Sequence, residues 1–300
     1  MNAWSKNIVS WRCGNTLYLS VVFTWLLPKA EILARQHRGP VVAGGAAVAI
    51  QGAPWADETP SECPFDVLAM HNPCATFTTR GCPNRCAFCA VPKIEGEFRE
   101  LPSWKPAPLV CDNNLLAASR RHFVRVIDSL KPFPQVDFNQ GLDARLFTTW
   151  HADQIARLRR PKVRFALDHV NMTGPVSDAL VLARKAGLRD FGVYVLIGFK
   201  DTPADAQARM ETVRSWGVWP NPMRYQPLDA AQKNAYVAPG WTAFELRRMS
   251  RYYNRLRWFE HIPYEDWQPP QPEPLWEDLP AIGASETPSS RKSPSGSADG

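Results

Sequence analysis

The sequence predicts an α/β protein whose core is a partial (βα)6 barrel, preceded by a small Rossmann-like α/β segment and followed by a basic helix and a disordered tail. Two observations predict it. From residue 76 onward, short apolar or β-branched runs alternate with helical stretches, which implies a parallel sheet with right-handed crossovers. One run, residues 191–197, is apolar nearly throughout, as a strand buried on both faces must be. A hydrophobic fraction of 45% over 300 residues is enough for a substantial core.

Residues 1–74 read as a small α/β cap. Within it, residues 17–23 favour a strand, 28–37 a helix opened by Pro28, 40–48 a second strand running into Gly44-Gly45, and 65–70 a third. No Gly-x-Gly-x-x-Gly follows, so Gly44-Gly45 reads as a tight turn, not a phosphate cradle. The core spans residues 75–230, with strands expected at 75–80, 109–112, 135–139, 163–168, 191–197 and 223–227. Helices are expected over 115–130, 152–158, 176–186 and 204–216, the third ended by Gly187. Residues 231–280 form a helical and Pro-rich extension with a basic aromatic helix over 242–259, and 281–300 have the polar composition of a disordered tail.

The chemistry concentrates in one loop after the first core strand. There Thr79-Arg80-Gly81-Cys82-Pro83-Asn84-Arg85-Cys86-Ala87-Phe88-Cys89 contains a Cys-x3-Cys-x2-Cys run. Three thiolates are one fewer than a cuboidal iron–sulfur cluster usually takes, which leaves one iron open to a small molecule. A zinc site would draw its fourth ligand from Cys74 or His71, although no second Cys-x2-Cys exists. Seven Cys is an odd count without a secreted-scaffold pattern, which argues against a disulfide framework. Cys111, inside an expected strand, reads as a small buried residue.

This spacing, with the aromatic Phe88 before the last Cys, resembles the cluster-binding signature of radical S-adenosylmethionine (SAM) enzymes. The resemblance covers roughly residues 75–230, with its specificity in the Cys loop. It implies a [4Fe–4S] cluster on Cys82, Cys86 and Cys89, with SAM on the open iron. It further implies reductive cleavage of SAM to methionine and a 5′-deoxyadenosyl radical, hydrogen abstraction from a substrate, and a reductant such as flavodoxin or ferredoxin. All seven Cys lie at or before position 111, so the C-terminal half cannot hold an auxiliary Cys-rich cluster.

Ligands of parallel α/β folds sit at the carboxyl ends of the strands, and the polar residues expected there are the candidates. Asp112-Asn113-Asn114 resembles the segment that holds the SAM amino group in that family, and Asn113 or Asn114 would otherwise cap the following helix. Gln140 and Asp143 are candidates for the ribose hydroxyls, and Arg145 for the methionine carboxylate. The alternative is an Asp143/Arg145 surface pair. Asp168 and His169 would contact SAM or substrate. Ile197-Gly198-Phe199 resembles the segment that passes under adenine, with Gly198 permitting close approach and Phe88 helping to seat the ring. Tyr225 and Gln226 would close the pocket.

Four further readings follow from other features. The cap resembles a shortened cobalamin-binding domain, which makes a cobalamin-dependent methylase an alternative, although no Asp-x-His-x-x-Gly ligand motif is present. The loop from Gly81 through Glu95-Gly96 is similar to transfer-RNA methylthiotransferases, but Cys13, Cys63 and Cys74 do not reproduce their second cluster motif. A nucleic-acid modification enzyme is a third reading: Arg247, Arg251 and Arg255 recur every four residues and offer a phosphate contact, or a solvated basic face. The last is a zinc-binding module without catalysis. A net charge of +6 with a pI near 9.0 is compatible with an anionic substrate. The apolar run 17–27 is too short to span a bilayer, so no membrane association and a cytoplasmic location are expected.

Overall fold

The structure is a computed structural model that describes residues 8–60, 65–255 and 262–268. The expected Pro-rich stretch beyond 268 and the tail at 281–300 lie outside the described residues, as do Cys63 and the side chain of Arg255.

The N-terminal unit starts with an antiparallel hairpin, β1 (Ile8–Cys13) and β2 (Thr16–Val21), turned at Gly14 with φ +60°. Helix α1 (Leu27–Arg35) carries Pro28 in its first turn and crosses to β3 (Val41–Gly44), which pairs parallel with β2. The chain then reverses at Gly45, whose φ of +97° and whose approach to Val21 leave no room for a Cβ: one there would lie 2.5 Å from the Val21 carbonyl oxygen. Helix α2 (Ala46–Gln51) follows at once, so the strand expected over 40–48 stops at Gly44. Residues 65–70 are likewise not a strand. They lead into helix α3 (Val67–His71), because the Asp66 carboxylate accepts the Ala69 N–H at 3.1 Å and caps it. Among the described residues of this unit, only β2–α1–β3 is a Rossmann-type element; the unexpected β1 makes this three-stranded sheet mixed.

The second unit begins with β4 (Ala75–Thr76) and β5 (Thr79–Arg80), then α4 (Val91–Ile94) and β6 (Arg99–Glu100), which pairs antiparallel with β5. Five strands follow: β7 (Leu109–Val110), β8 (Val136–Phe138), β9 (Pro161–Ala166), β10 (Asp190–Ile197) and β11 (Pro220–Arg224). Helices α5 (Arg120–Leu130), α6 (Thr149–Ile155), α7 (Thr173–Lys185) and α8 (Pro203–Ser215) connect them, and α9 (Ala243–Arg255) comes last. The sheet runs β4-β7-β8-β9-β10-β11 and every neighbouring pair is parallel. All six carboxyl ends therefore open on one edge.

Local chemistry explains these elements. Helix α5 buries Phe123, Val126, Ile127 and Leu130, spaced as one helical face requires. The single helix expected over 115–130 is divided: a 3-10 turn occupies Leu115–Ala117, and Ser119 then caps α5 by accepting the His122 N–H at 3.2 Å. Helix α8 opens with a capping box of Thr202 and Asp205. The sixth core strand lies at 220–224 and not at 223–227, since Pro220 and Pro222 are tolerated at an edge of the sheet. Leu246, Met249, Tyr252 and Tyr253 of α9 are buried in the same core as Phe138, Phe165 and Val193. Arg164 on β9 grips Asp137 on β8 through two 2.7 Å hydrogen bonds, a buried fork that fixes the register of the two strands.

Candidate functional site

The Cys loop rises from β5 at the carboxyl edge of the sheet, and its stem is locked at Gly81. Gly81 has φ +72°, and a Cβ there would lie 2.2 Å from the Glu97 carbonyl oxygen. Its N–H donates to Glu95 at 2.8 Å, and Glu95 in turn pairs with Arg80 at 3.2 Å. The strand expected over 75–80 is broken in two because Asp112 takes the backbone of its second half. One Asp112 carboxylate oxygen accepts the N–H groups of Thr78 and Thr79 at 2.6 and 2.8 Å, and the Thr78 hydroxyl donates to the other. Burial pushes the Asp112 carboxyl up to about 6 against these donors. Asp112 is thus a clamp between the end of β7 and the Cys-loop stem.

Asn114 and Asp143 join the loop from two further strand ends. Asn114 is buried; its Nδ2 lies 3.6 Å from Cys82 Sγ and donates to Asp143 at 3.2 Å. Its Oδ1 and the Asn113 Nδ2 are buried without a partner. Asn114 makes no capping bond, and Ser119 caps α5, so the capping alternative is overturned for both residues. Asp143 is the hub of the site. It accepts from Asn84 at 2.8 Å, from Asn114, and from Arg145 through Nε and Nη2, both at 2.8 Å. Burial pushes its carboxyl up, but the hydrogen bonds from Arg145 and Asn84 outweigh burial and hold it below the usual range. The surface-pair alternative for Asp143 and Arg145 therefore needs correction. The pair forms, with the Asp143 side chain only 7% exposed while Arg145 reaches into solvent.

Of the other two thiols, Cys86 sits beside this hub and Cys89 lies near Cys86 and Cys82. Burial pushes Cys86 up, and the neighbouring Arg145 charge counters it. Burial also pushes Cys89 up, and the Val91 backbone counters it, while the charges of the other Cys and of Asp168 oppose a thiolate at both positions. Burial raises Asp168, at the end of β9, to about 6. With Phe199, Lys200 and Arg209 it lines a cleft of about 320 Å³.

Aromatic contacts tie the loop to the last two strands. Phe88 meets Phe199 edge-on at 5.6 Å, and Phe199 meets Tyr225 at 4.7 Å. Gly198 has φ +75°, and its N–H donates to Asp201 at 3.0 Å. The position of a missing Cβ faces Leu246 of α9 at 3.0 Å, so any side chain at Gly198 would press on that helix.

Other expected residues stand apart. Gln140 is exposed and outside the hub. His169 is exposed and accepts the Asn171 N–H at 3.2 Å, which caps a 3-10 turn, but it lines the same cleft as Asp168 and Phe199. Gln226 accepts the Asn234 N–H in a surface loop. Arg247 is exposed and Arg251 half-buried on α9, which packs along β11. The sequence reading missed Asn84, whose amide binds Asp143; only its place between the first two Cys marks it.

Neither fourth ligand proposed for zinc is at the loop. His71 is buried against Ser20, with Nε2 to Oγ at 3.0 Å, and Cys74 precedes β4 at the amino edge. Among the described residues, no group of three His, Cys, Asp or Glu is placed to hold a metal ion. Three soft thiols, with an Asn amide against one sulfur and an Arg beside two of them, suit a thiophilic centre, zinc or an iron–sulfur cluster, and not a hard cation. Among the described residues, no helix is long and apolar enough to cross a membrane. No protein-family model matches the chain, and no curated protein aligns with it significantly.

Proposed function

We propose that the protein is a radical-SAM enzyme that abstracts hydrogen from a substrate, its six parallel strands forming the partial (βα)6 barrel of that superfamily. The observation that carries the reading is convergence. Asn84 of the Cys loop, Asn114 after β7 and Asp143 after β8 meet in one hydrogen-bond network that touches Cys82. A [4Fe–4S] cluster on Cys82, Cys86 and Cys89 would supply the electron that splits SAM to a 5′-deoxyadenosyl radical.

The chain's own groups have distinct roles in this reading. Asp143 holds Asn84 and Asn114 in place and orients Arg145, whose unused guanidinium N–H groups are available to a carboxylate. The buried Asn114 Oδ1, an acceptor without a donor, suits an ammonium group. Phe88, Phe199 and Tyr225 form an aromatic wall for a purine ring. Asp168, whose charge acts on Cys86 and Cys89, is the candidate contact for SAM or substrate.

Anaerobic reconstitution with iron and sulfide tests the proposal. The expected result is a brown protein that forms 5′-deoxyadenosine from SAM once reduced, with both properties lost in Cys86→Ala. A purified protein that takes up one zinc and no iron overturns it, as does a Cys86→Ala variant that still cleaves SAM.

A further inference from the structure

A second cavity lies between the N-terminal sheet and the stem of the Cys loop, with a volume of about 640 Å³. This is the size range of small-molecule sites. Its floor is the carboxyl end of β2 and β3, where Ser20 and Gly44 are paired in register and share one face. Gly44, Gly45, Ala46 and Ala49 present almost no side chain there, so the floor is flat. Leu68, Phe77 and Ile94 form the apolar wall.

Polar groups stand at two stations. At one end the buried Ser20 hydroxyl meets His71 Nε2 at 3.0 Å. At the other, Arg80 lies 4.0 Å over the Phe77 ring and is neutralised by Glu95. A slot with one flat face, one apolar wall, paired charges and hydrogen-bonding edges selects for shape and neutrality. We propose that this cavity binds a neutral, planar heteroaromatic molecule, its faces against Gly44 and Phe77 and its polar edge on the Ser20 hydroxyl, which His71 orients. The three Cys do not line it, so the site stands whether or not the Cys loop carries a cluster. Glu95 connects the two regions, because it lines the cavity and also holds the Gly81 N–H.

Gly44 supplies the test. It lies outside the left-handed region, and a Cβ on it meets nothing within 4 Å, so Gly44→Leu fills the slot without forcing the strand. Lumiflavin fluorescence, with adenine as competitor, is titrated into the full chain. Saturable binding that adenine displaces is expected. Gly44→Leu should weaken it by about tenfold or more, while Gly174→Leu, in open space on α7, should change it by less than about twofold. Ser20→Ala, which removes a polar handle with little change in volume, should weaken it about fivefold and serves if Gly44→Leu fails to fold. Absence of saturable binding by either ring overturns the proposal, as does wild-type affinity in every folded cavity variant. Retention of hydroxocobalamin in place of both rings also overturns it, since a corrin needs a far wider cleft.

Discussion

Removing the Asp143 carboxylate strands the donors that now converge on it. Asn84 and Asn114 lose an acceptor, and Arg145 loses a bidentate partner. Asp143→Ala should therefore cost about 2 kcal/mol in urea unfolding, and the reconstituted protein should retain less iron. Asp143→Asn, which keeps one acceptor, should lie between the variant and the wild type. An Asp143→Ala protein with unchanged stability and iron content would deny Asp143 its role as hub.

A different carboxylate governs pH dependence. Asp112 moves from the usual 3.8 to about 6 on folding, chiefly through burial. The folded state thus holds this proton more tightly than the unfolded state. The contribution of Asp112 to stability is complete below the unfolded value, declines as pH rises through about 6, and is flat beyond. Asp112→Asn keeps an oxygen for Thr78 and Thr79 and carries no charge. Thermal unfolding of this variant should lose the downward slope between about pH 4 and pH 6.

At the scale of elements, the Cys loop depends on its stem more than on its own contacts. Gly81→Ala would put a methyl group 2.2 Å from the Glu97 carbonyl oxygen at a φ of +72°. The left-handed conformation alone costs about 1 kcal/mol, and the clash adds to it. The expected outcome is faster protease nicking within residues 81–97 and loss of reconstituted iron, while far-ultraviolet circular dichroism is unchanged. Elements also show what a linear sequence reveals. The unbroken apolar run at 191–197 marks strand β10, and the amphipathic face of α5 marks a helix over 120–130, although the expected helix began five residues too early. β11 was displaced because its prolines look like a loop until a sheet edge accepts them. α3 read as a strand because one capping Asp66 outweighs its short apolar run. The hub was legible only residue by residue: its bonds join positions 59 and 29 apart in the chain, which no local spacing encodes.

For the whole molecule, two hydrophobic cores matter. One, around Leu19, Val21 and Ala43, belongs to the N-terminal unit, and the other fills the space around the six-stranded sheet. Among the described residues, polar contacts that bridge the units include the Thr24 hydroxyl to the Ala230 carbonyl at 2.7 Å and Gln51 to the Asp229 carbonyl at 2.9 Å. Leu19→Ala should destabilise its own unit by about 3 kcal/mol. Hydrogen exchange should accelerate at β2 and β3 amides and stay unchanged at β9 and β10. Equal loss of protection in both sheets would show one cooperative unit.

The strand order has a consequence for assembly in time. Each strand of the large sheet pairs with the strand that precedes it along that sheet's path, so every new βα unit finds its partner already made. Loop closures stay short, and growth proceeds from the Cys-loop end toward β11 as the chain emerges. The exceptions are the bonds from Thr24 and Gln51 to residues 229–230, which span most of the chain. The last fastenings of the N-terminal unit, which is made before the large sheet, thus wait until β11 is in place.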